Sequence, residues 1–211
     1  MDTIQKHLAY FEITSLKNKE ILFSGCFESF KSCLERAVYL KKDLSYADLS
    51  HQDLSHANLD GAILNHADFS YAKCHGVNLS EAWMTHARFL HADLRDACFC
   101  ESDLSHAHFM KSNMKFVDIA YAILQKTIFA DPSALRLEFS AVDTLKDCVY
   151  EDINKKHTTF SIAPTILMKE GQHICFFEQH LSINTHIHGY DDMSAILMMK
   201  APREKPQDVK R

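Results

Sequence analysis

Between Lys42 and Asp131 an apolar side chain returns at every fifth residue, and this period constrains the fold more than any other feature of the chain. The centres run from Leu44, Leu49, Leu54 and Leu59 through Phe69, Phe89, Phe99 and Phe109 to Leu124 and Phe129, 18 positions without a miss. With 46% of the 211 residues hydrophobic, such a run would arise by chance about once in a million. Two residues before each centre the side chain is small. Eleven of these are Ala, joined by Ser102, Ser112, Val77, Val117 and Thr127; only Lys42 and Gln52 break the rule. The other three positions of each quintet are mostly polar.

A period of five matches neither an α-helix at 3.6 residues per turn nor a flat strand at 2. On an α-helix it would carry the apolar positions right round the cylinder and leave no buried stripe. It suits a chain that turns a corner every fifth residue, so that each short side points one large and one small side chain inward. Four sides close a square coil of about 20 residues, and coils stack through backbone hydrogen bonds at the strand spacing of roughly 4.8 Å. Stacking then buries a continuous core, as in other solenoids.

Ala47-Asp48-Leu49, Ala57-Asn58-Leu59, Ala67-Asp68-Phe69 and Ala92-Asp93-Leu94 resemble the A(D/N)LXX motif of the pentapeptide repeat family. The resemblance covers about 90 residues. It implies an all-β-dominated fold built on a right-handed quadrilateral β-helix of about 4.5 coils.

Residues 20 apart then share one face. Leu49, Phe69, Phe89, Phe109 and Phe129 form an internal column, read as core packing. On the first face, Asp43, Ile63, Trp83, Asp103 and Ile123 precede the centres and point outward. Trp83 is the only tryptophan, and an exposed Trp beside Ile63 is either a partner anchor or a surface that a terminal segment covers. Tyr46, His66, His86, His106 and Lys126 follow the centres on the same face. With His108 near the same corner, His86 and His106 are metal-ligand candidates; stacked imidazoles are equally a pH-sensitive surface or a tolerated outward ladder. Asp53, Lys73, Asp93 and Asn113 form a ladder of opposite charges on the third face. Beside it, His75, Arg95 and Lys115 form a like-charged column, either solvated or able to receive an acidic partner. On the fourth face Cys98 and Cys100 point outward on either side of Phe99; no CxxC pair accompanies them, and they read as structural.

Both ends of such a coil need caps, because they expose unpaired backbone and apolar core. Residues 8–15 and 20–24 read as a hairpin across Lys17-Asn18-Lys19. Residues 27–39 read as a helix with Phe27, Phe30, Cys33, Leu34, Ala37 and Val38 on one stripe. The domains expected are therefore 1–41 (hairpin and capping helix), 42–131 (β-helix), 132–200 and 201–211. The third is a C-terminal α+β appendage. Asp131-Pro132 opens a helix carrying Leu135, Phe139, Val142, Leu145 and Val149, although the alternation of Leu135, Leu137 and Phe139 leaves a strand open, and strands follow at Phe160–Met168, His173–Glu178 and Leu181–His188. Within the last, His186 and His188 on one strand face are further metal candidates. The tail from 201 to 211 reads as disordered. The run from Lys19 to Ser50 is similar to the lead-in of pentapeptide repeat proteins borne by tailed phages and prophages.

The formal charge of −5 sets this chain apart from basic nucleic-acid-binding domains, so direct nucleic-acid binding is not expected. No run approaches 18 apolar residues, which excludes a spanning helix. The N-terminus lacks a signal-peptide core, and seven scattered cysteines fit a reducing compartment, so a cytoplasmic location is expected. GxSxG, P-loop, GxGxxG and HExxH motifs are all missing from the sequence, and the chain reads as a non-enzyme without a cofactor. The leading expectation is a non-catalytic protein-binding module or rigid scaffold, in a phage or prophage accessory role. Its partner is a protein, and it could form a homodimer through the C-terminal segment. The family resemblance adds a DNA mimic acting on DNA gyrase. Against this, residues 42–131 carry 12 acids and 7 bases. They would span only about 22 Å, or roughly 6 base pairs. Asp48 and Asp68 begin an acidic column that Arg88 and His108 end. A metal-binding role for the His clusters is the third reading.

Overall fold

The computed structural model describes residues 8–130, 134, 137–152, 154–169, 172–178, 180–183 and 186–189. Each quintet between Leu44 and Phe129 forms one side of a four-sided coil, and local chemistry makes the corners. The Asp or Asn before a centre accepts the backbone N–H two residues on: Asp43 from Ser45 at 2.9 Å, Asp68 from Ser70 at 2.8 Å and Asp103 from Ser105 at 2.9 Å. This is the Asx turn, a side-chain imitation of a backbone turn. Two residues after each centre the chain enters the left-handed region. All 17 such corners from Tyr46 to Lys126 have φ between 54° and 65°. Only Gly61 and Gly76 adopt that conformation without a Cβ penalty. Histidine occupies six of the other corners, and it is among the residues several-fold enriched at positive φ.

Stacking pairs residues 20 apart in parallel. The first face runs Asp43, Ile63, Trp83, Asp103 and Ile123, and the third Asp53, Lys73, Asp93 and Asn113. Each rung exchanges bonds with its neighbours: Leu64 N–H donates to the Trp83 carbonyl at 2.8 Å, and Trp83 N–H to that of Ala62 at 2.9 Å. All 18 centres are no more than 2% exposed, and Ala47, Ala67, Ala82 and Ala107 beside them are fully buried. The polar residues in the small slots are satisfied by backbone. Ser102 Oγ donates to the Phe99 carbonyl, Ser112 Oγ to that of Phe109 and Thr127 Oγ1 to that of Leu104. Inside the second face Phe69, Phe89 and Phe109 stack at 4.8 and 4.9 Å, with Phe99 edge-on to the last two.

Lys42 and Gln52, which break the small-residue rule, lie in the first coil, where other elements take over. Strands β1 (Ala9–Thr14) and β2 (Ile21–Phe27) form an antiparallel hairpin, and α1 (Phe30–Tyr39) follows with a Ser29–Ser32 capping box. Helix α1 turns Cys33, Leu34, Ala37 and Val38 onto the open end of the core. The hairpin satisfies the second face of the first coil: Asp48 N–H donates to the Thr14 carbonyl, and Leu16 N–H to that of Tyr46. Side chains of α1 serve the next two faces, Lys31 Nζ donating to the Ser55 carbonyl and Glu35 Oε1 accepting from Asn58 N–H. The unpaired edge of the stack is thereby closed.

The upper end departs from expectation. No helix runs from Asp131-Pro132 through Val149 among the described residues, and Asp131, Pro132 and Leu135 lie outside them. Beyond β3 (His108–Phe109), β4 (Ile123–Gln125) and β5 (Ile128–Phe129) come a 3-10 turn at Phe139–Ala141, β6 (Thr144–Lys146) and β7 (Cys148–Glu151). Strand β6 pairs in parallel with β4, and β7 with β5, in a register of 21 rather than 20: Ile123 with Thr144 and Ile128 with Val149. The quintets continue through Ala134 and Phe139, one extra residue enters, and they resume at Leu145 and Tyr150. Helical spacing and a once-shifted quintet spacing coincide over this stretch, and stacking on a finished rung decides the outcome. Strand β8 (His157–Phe160) then pairs antiparallel with β7 and ends the parallel stack. Phe139, Tyr150, Phe160 and Phe177 gather above Phe129.

Strands β9 (Thr165–Lys169), β10 (Gln172–Phe176), β11 (His180–Ile183) and β12 (His186–Gly189) make a separate antiparallel sheet in the order β12-β11-β10-β9. The strand expected over Leu181–His188 is thus two strands, and Phe160 belongs to β8. The C-terminal appendage is accordingly β-structured rather than α+β over the described residues. Buried Asp152 ties this sheet to the stack. Its Oδ1 accepts from Asn154 and Lys156 N–H, and its Oδ2 from Ile187 N–H at 3.0 Å. The tail at 201–211 lies outside the described residues.

Candidate functional site

The first face departs from the repeat's own chemistry by placing large apolar side chains in outward slots. The slot before the centre most often holds Asp or Asn, but on this face Ile63, Trp83 and Ile123 take it at three of five rungs. Each substitution forfeits an Asx acceptor. At Trp83 the coil below compensates, Asn65 Oδ1 accepting from both Thr85 N–H and Thr85 Oγ1 at 3.1 and 2.8 Å. Trp83 is 62% exposed and Ile63 half-buried beneath it, and no described segment folds over them. Tyr121, at the adjoining corner, is 67% exposed. With Ile123, Glu101 and Asp143 it lines a shallow hollow of about 470 Å³. The sequence reading missed Tyr121 because a corner position gave no reason to expect an apolar ring.

Along the edge of this face Tyr46, His66, His86 and His106 stack ring on ring, with centroids 4.6, 4.7 and 4.5 Å apart and planes within 13° of parallel. A second column, His51, Tyr71 and His91, stacks at 5.0 and 4.9 Å on the next corner. Rung spacing sets these distances. Imidazole lone pairs lie in the ring plane, so parallel stacked rings aim them side by side rather than at one ion. His86 and His106 are therefore not brought together as ligands, and His108 sits on the next face, half-buried. Burial first, then the neighbouring His106, His66 and His108, holds the His86 pKa below its usual value. Burial first, then Arg88 and His106, does the same to His108. His186 is exposed on β12; the side chain of His188 lies outside the described residues.

On the third face Lys73 reaches Asp53 at 3.5 Å. Arg95 closes on Asp93 through two bonds of 2.8 and 2.6 Å, and His75 lies 3.3 Å from Asp96. Arg95 and His75 thus each have a carboxylate neighbour on the same face. Among the described residues, the ligand-type side chains that do converge are Cys98, Cys100 and Asp118 on the fourth face.

These coils define the class: a four-sided parallel β-solenoid with a closed, filled interior. Residues 43–73, 72–109 and 92–131 match the family model for Pentapeptide repeats, in 8 copies, so this segment, somewhat less than half of the chain, carries pentapeptide repeats. No curated protein matches the chain. Three solved structures are similar to it. A pentapeptide repeat protein from the Arabidopsis thaliana thylakoid lumen is 28% identical over 47% of this chain and 66% of its own, with a TM-score of 0.40. One from the cyanobacterium Cyanothece 51142 is 26% identical over 41% and 60%, with a TM-score of 0.40. HetL from Nostoc sp. strain PCC 7120, involved in heterocyst differentiation regulation, is 22% identical over 46% and 42%, with a TM-score of 0.35. The chain spans less than two thirds of the length of each. No helix among the described residues is long and apolar enough to cross a membrane.

Proposed function

We propose that this protein is a non-catalytic scaffold whose first face docks a partner protein, with Trp83 as the anchor, Ile63 one rung below it, and Ile123 and Tyr121 two rungs above, beyond Asp103. One observation carries the reading. The sole tryptophan stands 62% exposed in a slot where the repeat's own chemistry calls for a carboxylate or amide. Exposed Trp is a typical centre of binding energy once desolvated. The stacked edge of His66, His86 and His106 borders the same face and would form its rim.

A photo-crosslinking residue at position 83 in the full chain, compared with one at Lys115 on the third face, tests this in cells. A discrete adduct from position 83 that disappears on adding Ile63→Asp is expected. Equal labelling from both positions would count against the assignment. Gyrase mimicry is the weaker reading, because the stacked column Asp48, Asp68, Arg88, His108 changes sign halfway. An unchanged supercoiling rate with the protein in excess would remove it. A phage or prophage accessory role and a cytoplasmic location fit the lead-in and the cysteine usage. Gene neighbourhood and fractionation would test them.

A further inference from the structure

The fourth face carries a second break in the repeat chemistry. Its column before the centres reads Asn58, Asn78, Cys98 and Asp118. Asn58 and Asn78 serve as Asx acceptors, for Asp60 and Ser80 N–H. Cys98 gives up that role, and Cys100 stands two residues on, across the buried Phe99. Because both flank one inward centre, both point out from the same side of the coil. Their Sγ atoms lie 3.0 Å apart. Asp118 is the bridge partner of Cys98 one rung above, and its carboxylate completes a trio whose donor atoms all lie within 4.8 Å of one another. Ser80 Oγ lies 3.1 Å from Cys98 Sγ from the rung below and orients that sulfur.

We propose that Cys98, Cys100 and Asp118 form a binding site for one thiophilic divalent cation of the zinc class. Two sulfurs and one carboxylate oxygen suit a borderline-soft ion better than the oxygen-seeking magnesium or calcium. Zinc–sulfur bonds of about 2.3 Å at tetrahedral angles place sulfurs roughly 3.7 Å apart, so modest side-chain torsions open the pair enough to admit the ion. Three protein ligands leave a fourth position for water. Binding exchanges two S–H bonds for two metal–sulfur bonds: the cation enters, the carboxylate contributes its existing charge, and two protons leave to solvent. The Asp118 carboxylate beside the two sulfurs favours a dication there.

The test titrates the reduced full chain with Cd²⁺ and follows the sulfur-to-cadmium charge-transfer absorption, then repeats it with Zn²⁺ against a chromophoric chelator. The expected result is one ion per chain, about two protons released per ion, and loss of the band in both Cys98→Ser and Cys100→Ser. Asp118→Asn should weaken binding at least tenfold, in a variant whose circular dichroism and melting are unchanged. Cys26→Ser, at an exposed cysteine of the hairpin, should leave the band intact. A band that survives both cysteine variants, no band at all, or unchanged affinity in Asp118→Asn would overturn the site.

Discussion

Phe89→Ala is the most direct test of the square-coil geometry. The ring is fully buried, stacked on Phe69 at 4.8 Å and Phe109 at 4.9 Å, and edge-on to Phe99 at 5.7 Å. Removing it deletes one of the two buried rings of its coil from a shaft whose walls are tied by backbone bonds above and below, so collapse into the void is limited. Truncating a buried Phe costs about 3–5 kcal/mol, and each lost ring pair accounts for roughly 0.5–1.5 kcal/mol within or beyond that. We therefore expect the upper half of the range. Phe89→Leu should cost clearly less than Phe89→Ala, because it leaves a smaller void and Leu49 fills the same column in the first coil. Phe116→Ala, at a corner ring 84% exposed, should stay within about 0.5 kcal/mol. Urea unfolding followed by circular dichroism measures all three. If Phe89→Ala costs no more than Phe116→Ala, or Phe89→Leu as much as Phe89→Ala, the packing argument fails.

Two further outcomes follow from charge. The His86 and His108 pKa values are lowered in the folded state, so between those values and the unfolded 6.5 the unfolded chain binds more protons. Stability is greatest above 6.5 and falls as pH drops through that window. His86→Asn, which keeps a residue tolerant of positive φ, should flatten the fall in urea midpoint, and an unchanged slope would refute the link. Burial works to raise the Asp152 pKa, but the N–H donors of Ile187, Lys156 and Asn154 outweigh it and hold it below its usual value. Its contribution is present above the unfolded pKa and is lost as pH falls through the folded one. Asp152→Ala should cost about 1–3 kcal/mol and raise hydrogen exchange in β11 and β12 ahead of the coils.

The quintet register was readable because one spacing fixes both the large and the small inward positions over 18 sides, and every one of those centres is buried. The outward columns followed from the same arithmetic. What the sequence concealed depends on physics that spacing does not encode. Leu137 fills a slot elsewhere given mostly to small residues, and one added residue shifts the register before Leu145 and Tyr150. Together they hid the last coil. The left-handed corners were equally invisible as a cause: His66, His86 and His106 stand where positive φ favours them, which the notion of a ligand cluster did not anticipate. Cys98 and Cys100 looked inert because their third companion, Asp118, is 20 residues away in sequence and one rung away in space.

The single added residue that changes the pairing from 20 to 21 acts as punctuation. Below it, whole turns are interchangeable: copying one in frame would lengthen the shaft by a rung and leave every vertical neighbour above and below correctly aligned. Beyond it, the phase is broken and the closing strands can seat in one place only. Rod length and end structure are thus separable: adding a turn below the shift requires no redesign of the closing strands.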